Sequence, residues 1–339
     1  MIKIAAFCST IIAIFLWYYL TMTHYDVRFP DQRIVYDGNS LSFPYGYRKP
    51  VKDTRKYTDF DSCGFATINV NGRYYRQPMT HCNHALYYFN RYLENEDEND
   101  KLRFLALAQA LIDNGKQVTI DGTQCVVWFY DFQVPGYPPH HIPWISAISQ
   151  GRAISVLCRA FQMTHNDQFL NAALSATGPF HFDCNSGGLI AKDQEGNLYY
   201  EEYPFSGNSH HVLNGFITSL FGLHELYRVT GDTVVYKLFK QGISTLRKDN
   251  VLHRYDLGFW TTYSQAPDKP MAFKYQATHV IQMLELANIT GDKYFKDTAH
   301  KWLQYNIRHR YRIRFFINAA LHYFKHSNTL SAKILFPKK

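Results

Sequence analysis

"HHVLNGFITSLFGLHELYRVTG" (residues 210–231) runs directly into "DTVVYKLFKQGISTLRKD" (residues 232–249). Val212, Phe216 and Leu220 fall at helical spacing, and the Thr-Gly-Asp step ends one helix and starts the next. The unit is a long helix, a tight turn and a second helix. "KYQATHVIQMLELANITG" (274–291) followed by "DKYFKDTAHKWLQYNIRHR" (292–310) repeats it with another Thr-Gly-Asp. "SAISQGRAISVLCRAFQMT" (146–164), with Ile154, Leu157 and Phe161 on one face, passes through "THND" (164–167) into "DQFLNAALSATGPF" (167–180). Further back, "MTHCNHALYYFNRYLEN" (79–95) and "KLRFLALAQALIDNG" (101–115) flank the acidic connector "ENEDEND" (94–100). A recurring helix pair predicts a mainly α fold, an (α/α) barrel or toroid rather than a simple bundle.

Short β-hairpin insertions interrupt the helices. "KQVTIDGTQCVVWFYDFQV" (116–134) reads as a strand pair around Asp121-Gly122, and "PGYPPHHIP" (135–143) as a rigid loop. "DFDSCGFATINVNGRYYRQP" (59–78) alternates apolar and polar residues around the turn "NVNGR". The chain divides into a membrane anchor (1–24), an irregular or β-like lead-in (25–77), the (α/α) domain (78–312) and a basic C-terminal extension (313–339).

The anchor rests on Ile4–Met22, 19 residues without a charge, which is about one bilayer crossing at the usual ~20-residue requirement. Trp17, Tyr18 and Tyr19 suit an interfacial belt. A cleaved signal peptide is the rival reading, but no small-x-small site follows the apolar run. The expected protein is single-pass, with a transmembrane helix before the fold. Lys3 precedes the span while Asp26 and Arg28 nearly cancel after it, which favours a periplasmic or lumenal body.

Composition narrows the partners. Net charge is +8 with histidines neutral, which fits acidic polysaccharide, anionic lipid or nucleic acid. Zinc-finger spacing and RNA-binding signatures are missing, so nucleic acid is set aside. Part of the charge lies in "IRHRYRIRFF" (307–316), which alternates Arg with Tyr, Ile and Phe as an amphipathic strand or a basic edge near a membrane would. Aromatic residues make up 17%, with 26 Tyr against five Trp, and tyrosine suits surfaces that stack on sugars. There are six cysteines and no CxxC pair, and Cys8 falls in the span. That pattern excludes a disulfide scaffold or a metal site by spacing and leaves room for one disulfide. Neither a metal nor a cofactor is expected.

Three loop segments occupy corresponding points of the helix pairs. "YYEEYPFSGNSHHVLNGF" (199–216) puts Glu202 and Tyr203 at a helix entrance that Asn208 or Ser209 would cap. "LHRYDLGFWTTYS" (252–264) groups Arg254, Tyr255 and Asp256, and "FKYQATHV" (273–280) places Tyr275 near His279. One such tyrosine reads equally well as packing; three at equivalent places exceed that. Proton transfer at a carbon beside a carboxylate uses this set, because it needs a base, a second proton donor and stabilisation of an enolate.

"PWISAISQGRAISVLCRAF" (143–161), the "EEYP" and "SHHVLNGF" stretches, "YDLGFW" (255–260) and "YQATHVIQMLEL" (275–286) together resemble the C-terminal domain of D-glucuronyl C5-epimerases over about 140–305. The resemblance implies an (α/α) barrel that converts D-glucuronate to L-iduronate in heparosan-type chains. By resemblance, Glu202 and Tyr275 are the acid/base candidates, and Tyr203 and Tyr255 hold or protonate the uronate. Arg254, Arg152, His84, Asn214 and His279 are the candidates for substrate binding. Gly258 stands where animal members carry an Arg, and His84 where they carry a tyrosine. The β-rich domains and calcium site of those members have no counterpart here, so a bacterial-type member acting on a capsule or exopolysaccharide is implied, with a homodimer as the expected assembly.

Three other functions compete. A polysaccharide lyase would use the same carbanion. A glycoside hydrolase needs two separated carboxylates, which the adjacent Glu201 and Glu202 do not provide, leaving Asp256 as the second group. A membrane-anchored polysaccharide-binding protein with a decayed site is the non-enzyme reading, prompted by Gly258 and His84.

Overall fold

The computed structural model describes residues 58–135, 137, 139–205, 209–266 and 275–326. The expected anchor and most of the lead-in lie outside them, and among the described residues no helix is long and apolar enough to cross a membrane. The described chain is mainly helical with small antiparallel sheets. It forms two compact units, one holding 58–252 with 264–266 and the other 253–263 with 275–326.

The first unit opens on a three-stranded sheet, β1 (Asp59–Phe60), β2 (Ala66–Val70) and β3 (Arg73–Arg76), paired in chain order. Asn71 and Gly72, both at positive φ, turn β2 into β3. Pro78 occupies the first turn of α1 (Pro78–Asn95), where its missing N–H costs nothing, and the Gln77 side chain accepts from Thr80 N–H at 2.7 Å. α2 (Glu98–Asn114) leads to the hairpin β4 (Lys116–Ile120) and β5 (Thr123–Val127), whose turn is Asp121-Gly122 as expected. Then come α3 (Ala147–Thr164), α4 (Asp167–Ser175), the hairpin β6 (Ile190–Lys192) and β7 (Leu198–Tyr200), α5 (Leu213–Thr230), α6 (Thr233–Arg247) and the short α7 (Asp249–His253). α1 packs on α3, and α3 on α5, while α2, α4 and α6 fold back on their own partners. α3 and α5 are accordingly buried along most of their length.

One chemical device makes every helix pair turn. Glu96, His165 and Gly231 sit in the left-handed region after α1, α3 and α5, and Gly291 does so in the second unit. The next residue, Asp97, Asn166, Asp232 or Asp292, caps the following helix by accepting from the N–H two residues on. Where the motif carries Thr, at Thr164, Thr230 and Thr290, its hydroxyl donates to the carbonyl four residues back and accepts the cap residue's own N–H. His165, at φ 54, holds with a side chain a conformation that glycine adopts freely. His165→Gly is therefore expected to raise stability by about 0.5–1 kcal/mol in denaturant unfolding, the relieved strain outweighing the added chain entropy.

The α3–α5 crossing is set by small residues. A Cβ at Gly151 would lie 2.5 Å from Ser219 Cα, and one at Gly222 would overlap the Gly151 carbonyl. The two backbones touch, which no larger side chain permits.

The second unit contains α8 (Gln276–Thr290), α9 (Lys293–Ile307) and α10 (His309–His326). Here the strand option for "IRHRYRIRFF" fails. The chain bends at Arg308 and continues as helix, with no break at the 312/313 boundary. Its alternation mimics a strand, but Arg312 and Phe315, three apart, are both buried, and Phe315 stacks on Trp260 at 4.2 Å. The five described cysteines are all free thiols, and no metal-binding cluster occurs among the described residues.

Candidate active site

In the first unit β7 delivers Glu201, Glu202 and Tyr203 to the starts of two helices. The Glu201 carbonyl accepts Ala147 N–H, the first of α3, at 2.9 Å, and the Ser146 hydroxyl donates to the Glu202 carbonyl at 2.6 Å. Ser146 is the N-cap of α3 yet makes no side-chain cap, because its hydroxyl is spent on this strap. The segment is thus clamped by backbone as well as by side chains.

The two carboxylates then part, as alternate side chains on extended backbone do. Glu201 is fully buried, and its carboxylate meets His211 Nδ1 at 2.5 Å and accepts His211 N–H at 3.2 Å. The His211 ring stacks on Tyr199 at 4.1 Å. Glu202 turns to the first turn of α5, against Gly215, where a Cβ would lie 2.9 Å from Glu202 Cβ and overlap its Oε2. That turn is capped by Val212, which has no polar side chain to offer, rather than by Asn208, outside the described residues, or by the exposed Ser209. A helix N-terminus favours a negative charge placed there. Asn214, 5% exposed, precedes Gly215 in the same turn.

Tyr203 is half-buried among Tyr137 (4.7 Å between ring centres), Phe205 (5.8 Å) and Trp144 (5.9 Å). The following residues, Pro204 and Phe205, border a cleft of ≈ 550 Å³ lined also by His140, His141, Trp144 and Asn185. Arg152 and His84 lie elsewhere in this unit's interior, each 2% exposed. Burial pushes the Arg152 guanidinium down to about 9, helped by the charge of Arg159 and opposed by Glu225. Arg159 and Glu225 form a buried pair at 2.9 Å, joined by the Ser155 hydroxyl. His84 meets Phe60 and Tyr88 edge-on.

In the second unit Tyr255 is fully buried, and its carbonyl closes a tight loop by accepting Thr262 N–H at 2.8 Å. Asp256 ties that loop to α9, accepting from Trp302 Nε1 (3.1 Å), Tyr305 OH (2.8 Å) and Lys301 Nζ (2.8 Å), and from Gly258 N–H (2.7 Å). Burial raises its pKa, but these donors outweigh that and hold it below the usual carboxylate value. Asp256 is an anion whose oxygens are engaged by α9 and by its own turn. Gly258 is at φ +76 inside the turn Asp256 closes, which explains glycine where the resemblance anticipates arginine.

Tyr275 caps α8 and is 39% exposed, with Tyr263 5.0 Å away. His279, one turn on, is fully buried, and its Nδ1 meets Thr261 Oγ1 at 2.9 Å. Thr261 in turn donates to Gln276 Oε1 at 2.6 Å. Arg254 is half-buried. The structure therefore gathers Glu202 and Asn214 at one helix start and Tyr255, Tyr275 and His279 around the entrance to α8. Glu201–His211 and Thr261–Gln276–His279 were not anticipated; both join residues ten or more apart, beyond any local pattern.

A helical-hairpin protein with a carboxylate at the start of one helix and its backbone strapped to the start of another is the class these features define. The chain belongs to the family of the D-glucuronyl C5-epimerase C-terminus, whose model matches residues 121–304, more than half its length. A D-glucuronyl C5-epimerase of Caenorhabditis elegans is 33% identical over 181 residues, 48% of this chain but 29% of that enzyme. An uncharacterized protein of Methanocaldococcus jannaschii is 29% identical over 226 residues, covering 63% of this chain and 72% of that protein. A solved structure of a GH76 alpha-mannanase from Bacteroides thetaiotaomicron overlaps 87% of this chain and 82% of its own at 9% identity, with a TM-score of 0.49, too low to carry fold or function across. Membership in the family supports an epimerase-like function.

Proposed function

We propose that this protein is an isomerase that inverts D-glucuronate to L-iduronate within an acidic polysaccharide, heparosan-like or bacterial, by moving a proton at C5. The supporting observation is the Glu202 carboxylate, held against Gly215 at the first turn of α5 by a backbone strap to α3. In this reading one group removes the C5 proton and the electron pair spreads into the neighbouring carboxylate as an enolate. A second group returns a proton to the opposite face. Electrons balance with no external oxidant or reductant. Glu202 and Tyr275 are the proton-transferring groups, Tyr203 and Arg254 hold the uronate, and the buried Tyr255 and His279 brace the 255–262 loop and the helix that Tyr275 caps. The reading includes closure of the helix pairs into an (α/α) toroid, pairing of two copies, and tethering through residues 4–22 with the body on the periplasmic or lumenal side.

The test is solvent exchange. The full chain in detergent is incubated in D2O with heparosan, and C5 deuterium and iduronate are read by NMR. Deuterium at C5 with iduronate formed is expected, and Tyr275→Phe should lower the rate about 10²–10⁴-fold. An unsaturated uronate would replace the proposal with a lyase. Binding of the polymer without exchange would leave a polysaccharide-binding protein.

A further inference from the structure

The geometry points to a contact with a membrane surface: we propose that the exposed face of α10 docks on an anionic lipid surface. Charge is the first observation. The 42 residues from Thr298 to Lys339 carry nine of the chain's 36 Lys and Arg and none of its 28 Asp and Glu. The rest of the chain is nearly balanced, so the net charge of +8 resides in this segment.

The second observation is which side chains face outward. α10 buries Arg312 and Phe315 and turns His309, Arg310, Ile313, Arg314, Ile317 and Asn318 to solvent. Ile313 is 44% and Ile317 50% exposed, and Ile307, just before the helix, is 50% exposed. Arg310 lies over the Tyr311 ring at 4.5 Å and Arg314 over Phe259 at 4.6 Å, which keeps both guanidinium groups at the rim of the isoleucine patch. Aliphatic side chains framed by arginines form the pattern of a helix lying in a lipid headgroup layer.

The other occupants fit less well. An acidic polysaccharide would pair with the arginines, but its C–H faces stack on flat aromatic rings rather than on branched isoleucines. A second copy would set the exposed Arg310 and Arg314 of one α10 against those of the other.

The full chain, with Cys63→Ser and Ile317→Cys carrying an environment-sensitive fluorophore, is reconstituted into vesicles of phosphatidylcholine alone or mixed with phosphatidylglycerol. The label should shift to the blue and be quenched by spin-labelled lipid in the mixed vesicles only. High salt should reverse the effect. Arg310→Gln with Arg314→Gln should lower the docked-to-undocked ratio about thirtyfold, at roughly a fivefold factor per cation near an anionic surface. Both arginines are exposed, so circular dichroism should show the fold unchanged. A label left in water on both vesicles, or quenched equally on both, overturns the proposal. So does a shift produced by heparosan without vesicles, which would assign the face to polysaccharide. A shift in detergent that grows with protein concentration would assign it to a second copy.

Discussion

Glu202→Gln is expected to slow C5 proton exchange on a glucuronate polymer about 10²–10⁴-fold and to leave unfolding nearly unchanged. Glutamine keeps the volume of glutamate, and both strap contacts use backbone carbonyls of the segment, which the substitution leaves in place. What is lost is a group able to take up a proton. Gly215→Ala separates position from chemistry. Its methyl group would overlap Glu202 Oε2 and push the carboxylate off its seat while the carboxylate itself remains. A displacement on the order of 1 Å costs about a hundredfold in rate. Alanine is a better helix former than glycine by about 1 kcal/mol, so any loss of activity would come without a matching loss of helix propensity. Full activity in Glu202→Gln would remove Glu202 from the reaction. Full activity in Gly215→Ala alone would show that the Glu202 side chain can rotate without penalty.

Acid should weaken both units well above the pH at which carboxylates titrate. His81 in the first unit is fully buried, with Nδ1 accepting Ala66 N–H at 3.2 Å and Nε2 donating to the Leu107 carbonyl at 2.9 Å. That pairing requires the neutral ring, and burial lowers its pKa from 6.5 to about 4. His279 in the second unit is lowered to about 3 by burial alone, and its Nε2 has no hydrogen-bond partner among the described residues. The folded pKa lies below the unfolded one in each case. The contribution to stability is therefore complete above pH ~6.5 and is lost progressively as pH falls toward each folded value. By pH 5 His81 and His279 should each have cost about 2 kcal/mol relative to pH 7, a sizeable part of a typical 5–15 kcal/mol total. Denaturant midpoints at the two pH values measure this, and His279→Gln should reduce the drop in the second unit. Equal midpoints at pH 7 and pH 5 would contradict the buried neutral rings.

Local chemistry was readable from the residues. Thr-Gly-Asp announces its turn because the hydroxyl, the left-handed residue and the cap carboxylate all act within about four residues of one another. Asp121-Gly122 announces its hairpin for the same reason. The family resemblance, too, lay in contiguous motifs, "EEYP" among them.

Tertiary structure decided what the chain brings together from a distance. Only it shows that Glu201 turns inward to His211 while Glu202 faces Gly215, because neighbours on extended backbone look the same in sequence and differ in what packs beside them. It alone shows that Asp256 is tied down by α9, and that the arginine-rich segment is a helix fastened by Phe315 on Trp260 rather than a strand. The sequence by itself determined the helix pairs, their turns and the family, since these follow from interactions along the chain. The buried partners of each charged group were settled only by folding, since burial and pairing depend on residues that no local pattern connects.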